Sequence, residues 1–180
     1  TILGQLISVG AIALIIVFQP ELRRFLQVIG MRQKHFNFIT RIFSTGDDTV
    51  QTNVVPIVTA CREMSETKTG ALIVIGQQSD LRLIAEGGIA LDAKVSTSLL
   101  KNIFFKNAPL HDGAVLIEGD RIVAAKCILP VTQSDVPKSY GTRHRAAIGM
   151  SEISDAIIIV VSEETGGISI AQGGELRRNI

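Results

Sequence analysis

The sequence predicts an α/β protein with a central mixed, largely antiparallel β-sheet surrounded by helices, preceded by the end of a transmembrane helix. Three observations carry this. Short β-branched apolar runs recur through the second half of the chain. Segments with helical apolar spacing alternate with them. Glycine-containing turns join neighbouring runs as hairpins, which makes the sheet mixed or antiparallel with helices packed around it.

Ile2 to Phe18 carries no charged residue, and Gln5 and Ser8 are its only clearly polar side chains. Its length is at the short end for a spanning helix. Pro20 and Glu21 follow, then Arg23, Arg24, Arg32, Lys34 and Arg41 before the next acid, Asp47. An apolar run followed by bases reads as a membrane exit with the bases on the cytoplasmic side. A buried core helix is the alternative, and a cleaved signal peptide fits worse because the bases follow the run. Glu21 to Gly30 continues as a short helix with a glycine end. Residues 1–30 are thus expected to be the end of the last transmembrane helix with a juxtamembrane helix, and 31–49 a linker. Residues 50–180 form the compact domain.

Within that domain Val50, Val54, Ile57, Val58, Cys61 and Met64 recur with helical spacing, and Pro56 kinks that helix or delays its start. Ala71 to Ile75 is a buried strand, and Leu81 to Ile84 a short second one before the turn Glu86-Gly87-Gly88. Ser96 to Phe105 is a helix capped by Ser96, with Leu99, Leu100, Ile103 and Phe104 inward. Ala114 to Ile117 and Ile122 to Ile128 form a hairpin about Gly119-Asp120. Gln133 to Ser139 is a polar loop and Thr142 to Ile153 a short helix. Ala156 to Val161 is the strongest strand, and Ile168 to Ala171 pairs back to it across Ser162 to Gly167.

The formal net charge of +1 argues against a surface that coats nucleic acid. Trp is absent and aromatics are few, so the core is built from Ile, Leu, Val and Ala. Cys61 and Cys127 sit far apart in apolar runs, which suits buried free thiols and no zinc–thiolate site. The chain has no GxxxxGK[ST], no GxGxxG after a strand and no GxSxG elbow.

Two segments carry the chemistry. Gly141-Thr142-Arg143-His144-Arg145 opens the expected helix with two guanidinium groups and an imidazole. Arginine forks match phosphate oxygens bidentately, and a helix N-terminus attracts anions through its free amides. Bases there oppose the helix dipole unless an anion is bound. Asp112-Gly113-Ala114 places a carboxylate beside two residues with almost no side chain, so a metal ion or sugar hydroxyl can lie close to the backbone. Taken alone, Asp112 reads as a turn-capping surface residue and the arginines as a solvated basic patch. His111-Asp112 also forms the HD pair of metal phosphohydrolases, but that reading needs more His and Asp ligands on an all-helical scaffold. Ser162-Glu163-Glu164-Thr165-Gly166 reads either as a plain hairpin loop or as a contact to a terminal phosphate and a cation.

Four blocks in this order resemble the diadenylate cyclase (DAC) domain family. They are Leu91-Asp92-Ala93-Lys94-Val95-Ser96, Pro109-Leu110-His111-Asp112-Gly113-Ala114, Gly141-Thr142-Arg143-His144-Arg145-Ala146-Ala147 and Val161-Ser162-Glu163-Glu164-Thr165-Gly166. The likeness runs from about Val50 to Leu176. The apolar stretch into Phe18-Gln19-Pro20-Glu21-Leu22-Arg23-Arg24 is similar to the membrane-bound CdaA-type members. The resemblance implies the DAC/DisA-N fold and condensation of two ATP into cyclic di-AMP with release of two pyrophosphates. It implies catalytic roles for Asp112, Arg143, His144 and Arg145, and ATP binding by Gly113, Ala114, Leu129, Thr142 and Ser162. It implies a divalent metal, Mg²⁺, Mn²⁺ or Co²⁺, on Asp112, Glu164 (or Glu163) and His111. Its further implications are a required homodimer, a YbbR-domain regulator and phosphoglucosamine mutase as partners, and a catalytic domain on the cytoplasmic side of the cell membrane. Because the product is two-fold symmetric, one ATP per subunit across a C2 interface makes both bonds with one kind of half-site.

Overall fold

The computed structural model describes residues 53–178, together with Ile2, Gln5 and Gly10 as isolated helical positions. The chain divides into a unit Thr1–Asp48 and a unit Thr49–Ile180, and the sheet with its helices belongs to the second. The expected transmembrane segment, juxtamembrane helix and linker lie outside the described residues, apart from those three positions. Among the described residues no helix is long and apolar enough to cross a membrane.

Helix α1, Val54–Glu66, begins where Asn53 caps it, the Asn53 Oδ1 accepting from the Val55 N–H at 3.2 Å. Pro56 therefore falls in the first turn, where no intrahelical donor is needed, and the helix starts late instead of kinking. Strand β1, Ala71–Ile75, is buried along its whole length. The expected strand at Leu81–Ile84 is instead a short helix α2, Arg82–Glu86. Leu81, Ile84 and Ala85 pack together into the core while Leu83 is exposed, which is helical spacing and not alternation. The Asp80 carboxylate starts the turn by accepting from the Arg82 N–H at 3.1 Å.

Strand β2, Ile89–Lys94, was not expected, because it is an edge strand without a fully buried residue. It is irregular between Ala90 and Ala93, where Asp92 takes a φ of 46° and pairs with Arg121 at 2.6 Å. Helix α3, Thr97–Ile103, is capped by Ser96 as expected, the hydroxyl accepting from the Leu99 N–H at 3.2 Å. Strands β3, Ala114–Glu118, and β4, Arg121–Cys127, form the expected hairpin about Gly119-Asp120. Ile128, expected within β4, lies beyond it and is 80% exposed. Helix α4 runs Thr142–Ile153, followed by β5, Ile157–Val161, and β6, Ile168–Gln172. A further unexpected strand, β7, Glu175–Arg178, returns through Gly173-Gly174, both at positive φ as a tight hairpin requires.

The seven strands form one sheet in the order β2-β4-β3-β1-β5-β6-β7. Only β1 and β3 pair in parallel; every other neighbour pair is antiparallel. Alternate residues of β1 enter two cores. Ala71, Ile73 and Ile75 join Ile57, Met64, Leu100 and Phe104 of the α1/α3 face. Leu72 and Val74 join Ala146, Ala147 and Met150 of α4 on the other. Cys61 and Cys127 are free and buried, and burial pushes each thiol up to about 11.

Helix α4 is tied to the segment after β4 at Gly149. A Cβ there would run into the Pro130 carbonyl oxygen and lie 2.6 Å from the Thr132 nitrogen. Both are backbone atoms that cannot step aside cheaply. Gly149→Ala is expected to lower unfolding free energy by about 1–3 kcal/mol. Urea titration of the variant against the parent checks this.

Candidate active site

Strand register gathers the site. Ile73 is level with Val115 in the parallel pair, so two residues back Ala71 is level with Gly113. Ala71 also faces Val161 across the antiparallel pair with β5. Ala114 faces Cys127 on β4. The approaches to β1 and β3, the exit of β4 towards Leu129 and the exit of β5 at Ser162 therefore share one end of the sheet. Asp112, Gly113, Ala114, Leu129 and Ser162 come together there, although they are spread over fifty residues of sequence.

Helix α4 delivers its first turn to the same end. Arg143 pairs with Glu163 of the β5–β6 loop at 3.0 Å. Its guanidinium lies across Gly70, where a Cβ would approach Nη1 to 2.9 Å. The N-cap is Gly141, and Thr142 is the first helical residue. No side chain caps this end, so its leading amides face outward beside Arg143 and Arg145. The Arg145 Nε donates to the Tyr140 carbonyl at 3.2 Å.

His144 is buried and stacks on Tyr140, with ring centroids 5.6 Å apart. Burial holds its pKa below 6.5, the positive charge of Arg178 adds to that, and Glu164 opposes it. The ring is therefore neutral at neutral pH, and the two arginines carry the positive charge of this turn.

Gly113 takes a φ of +142°, and a Cβ there would sit 2.7 Å from the Lys126 backbone. Lys126 is itself left-handed at 55°. Ala114 is fully buried and shares an apolar cluster with Leu129 and Cys127. Asp112 is exposed in the bend before β3. The His111 Nδ1 lies 2.6 Å from the Ala108 carbonyl, leaving Nε2 to face other partners. The Ser162 hydroxyl accepts from the amides of Glu164 and Thr165, each at 3.3 Å, so its own proton remains available to an anion. Glu164 is exposed in the same loop. Among the described residues no three His, Cys, Asp or Glu side chains are grouped closely enough to hold a metal ion, so His111, Asp112 and Glu164 do not form a ready-made cage.

Sequence reasoning missed three contributors, Gly70, Tyr140 and Arg178, and gave Glu163 a different role, as an alternative metal ligand. Glu163 is the partner of Arg143. Gly70, just before a buried strand, gives Arg143 its space. Tyr140 adjoins the Gly141-Thr142-Arg143 run and is the chain's one tyrosine, a signal that was there to read. Arg178, 5.2 Å from the Tyr140 ring centroid, sits on the strand that the sequence did not announce.

One end of the sheet thus gathers a carboxylate, glycine-lined backbone and an uncapped, arginine-bearing helix start, donor chemistry that suits an anion. Residues 58–176 match the DAC family, described as DisA bacterial checkpoint controller nucleotide-binding, and the chain belongs to that family. The cyclic di-AMP synthase CdaA of Bacillus subtilis strain 168 is 43% identical over 180 residues, or 99% of this chain. A diadenylate cyclase of Listeria monocytogenes serotype 1/2a is 45% identical over the same length. The chain spans 64% of the length of each of these two relatives. Among solved structures, a double mutant of DacA from Staphylococcus aureus superposes with a TM-score of 0.69 at 47% identity, covering 71% of this chain and 85% of that one. A hypothetical membrane spanning protein from Bacillus cereus gives 0.70 at 46% identity, covering 74% of this chain and 66% of that one.

The depressed pKa of His144 has a consequence for stability. A group whose pKa falls on folding contributes fully above its unfolded value of 6.5 and loses that contribution as pH drops through the folded one. Acidification from about pH 7.5 to about pH 5 is expected to lower the melting temperature. His144→Gln, which cannot take up the proton, is expected to flatten that fall in parallel calorimetric scans.

Proposed function

We propose that this chain is the catalytic portion of a diadenylate cyclase, condensing two ATP molecules into cyclic di-AMP and two pyrophosphates. One observation carries the reading: strand register brings Asp112 to the same end of the sheet as the uncapped start of α4 with Arg143. The family membership and the diadenylate cyclases among its relatives support it.

In this reading each 3′-oxygen attacks the α-phosphorus of the other ATP. One phosphodiester bond forms, the bond to the β-phosphate bridge breaks, and pyrophosphate leaves with its electron pair. Asp112 orients the 3′-hydroxyl and draws its proton. Thr142, Arg143 and Arg145 hold the phosphates, their donors meeting charge that shifts toward the leaving group. The Ser162 hydroxyl donates to an outer phosphate oxygen. Neutral His144 fixes the turn that carries the arginines without adding charge to it. Gly113 and Ala114 leave the backbone open to the nucleotide, and Leu129 lines the adenine side.

A divalent cation fits the donors in one way. Without a three-residue cage, the protein would offer Asp112, joined by Glu164 or His111 Nε2, and phosphate oxygens would supply the rest of the shell, as is usual for Mg²⁺-type sites. When bound, Mg²⁺, Mn²⁺ or Co²⁺ lowers the hydroxyl pKa and offsets phosphate charge.

A homodimer places the two ATP molecules face to face, and the two-fold symmetry of the product supports it. We place the catalytic unit at the cytoplasmic face of the cell membrane, held through its N-terminal helices. The apolar run to Phe18 followed by Arg23 and Arg24 supports this, as does a neighbour described as membrane spanning. An extracellular-facing YbbR-domain regulator and phosphoglucosamine mutase complete the reading as partners, and blocking the surface through which two subunits face would be enough to regulate the reaction.

The test is incubation of the chain with ATP and Mn²⁺ or Mg²⁺, with nucleotides separated by chromatography. Cyclic di-AMP that rises faster than linearly with protein concentration supports both cyclase and dimer; ADP or AMP as product sinks the reading. Asp112→Asn is expected to lower turnover by at least about 100-fold while ATP affinity stays within a few-fold. Single-turnover assays alongside calorimetric ATP titration separate the two effects.

A further inference from the structure

We propose that Tyr140 is a positioning residue, its carbonyl and its ring together setting where Arg145 and His144 point, with Arg178 bracing the ring from the last strand. The proposal rests on the reading that this turn holds phosphate.

The first turn of α4 is tied at Arg143 to Glu163 and at the Arg145 carbonyl, which accepts from the Thr132 N–H at 3.1 Å, but neither contact fixes the Arg145 guanidinium or the His144 ring. Its N-cap, Gly141, brings no side chain, and a Cβ built there would meet nothing within 4 Å. Those two side chains are met instead by the residue before the cap. The Tyr140 N–H donates to the Pro137 carbonyl at 3.0 Å, which closes the preceding loop. The Tyr140 carbonyl accepts from the Arg145 Nε at 3.2 Å, fixing the plane of that guanidinium and leaving its two terminal nitrogens to face a ligand. The ring stacks on His144, with planes 29° apart. The Arg178 guanidinium carbon lies 5.2 Å from the same ring's centroid, within cation–π range. Arg178 is opposite Ser169, a buried residue of β6, so the brace is anchored in the sheet. Position thus passes from sheet to Arg178, to Tyr140, to the phosphate-facing turn. These contacts use the ring and the carbonyl of Tyr140, not its hydroxyl.

The experiment uses the full 180-residue chain. Inorganic tripolyphosphate is titrated calorimetrically, and kcat and KM for ATP are measured separately. Tyr140→Leu keeps the carbonyl and removes the ring; tripolyphosphate affinity and KM are expected to weaken about tenfold, with kcat within about threefold. Tyr140→Phe is expected to restore both. Arg178→Gln leaves the ring in place and guards against a Tyr140→Leu chain that fails to fold; it is expected to weaken binding about threefold. Parent-like binding in Tyr140→Leu overturns the proposal. So does a Tyr140→Phe chain as weak as Tyr140→Leu, parent-like binding in Arg178→Gln, or a parent that does not bind tripolyphosphate. A parent that binds tripolyphosphate, loses it in Tyr140→Leu and yet makes no cyclic di-AMP sinks the cyclase reading while supporting the positioning role.

Discussion

The structure depends on how β1 is hydrogen-bonded. It lies at the middle of the sheet, with a parallel neighbour on one side, β3, and an antiparallel neighbour on the other, β5. That pairing brings the entries of β1 and β3 and the exit of β5 to the same end of the sheet. Polarity cannot set its register, because all five residues are buried and both faces are apolar. Size sets it at the ends. Gly70 is the position over which Arg143 passes, and Gly76 donates to the Ile117 carbonyl at 2.8 Å. A slip by one residue would put the Ala71 methyl under the Arg143 guanidinium and Gly76 into the strand.

The small residues of the site answer first to the protein itself. Gly113 admits the Lys126 backbone, and Gly166 admits the Ser65 carbonyl, to which a Cβ would come within 2.5 Å. The Ser65 hydroxyl then donates to the Gly166 carbonyl at 2.6 Å, pinning the β5–β6 loop to α1. Sequence reasoning assigns Gly113 to the close approach of a ligand. The geometry adds a cause that operates without one, namely a tight, left-handed meeting of β3 and β4.

Much of this was legible in the sequence, and the failures share a cause. The buried elements declared themselves, because burial on a sheet or helix face imposes a period. The α4 boundaries, the β3–β4 hairpin and the Ser96 cap were all readable. Strands β2 and β7 carry no fully buried residue, so their sequences record hydrogen bonding to a neighbour and little else. Leu81 to Ile84 reads as a strand because four residues are too few to show a helical period, while three-dimensional packing selects Leu81, Ile84 and Ala85. The candidate site residues with ionic chemistry of their own, Asp112 and the two arginines, stand out in the sequence as residue types. Glu163 and Arg178 act through contacts across the fold, and no local pattern marks a residue for its partner.

The Arg143–Glu163 pair shows how such a contact can serve a site that must also open. Its halves are unequally exposed, the arginine side chain at 22% and the glutamate at 65%. The guanidinium, wedged over Gly70, has little freedom, while the carboxylate can return to water at small cost. In the absence of an anion the pair offsets the unfavourable placement of a base at a helix N-terminus. Under the proposed function an arriving phosphate offers the same fork two oxygens and a higher charge, and the exposed carboxylate is the half that yields. The arginine would then be held in nearly the same place before and after substrate arrives. That is the condition under which its charge acts on the reaction without first being rearranged.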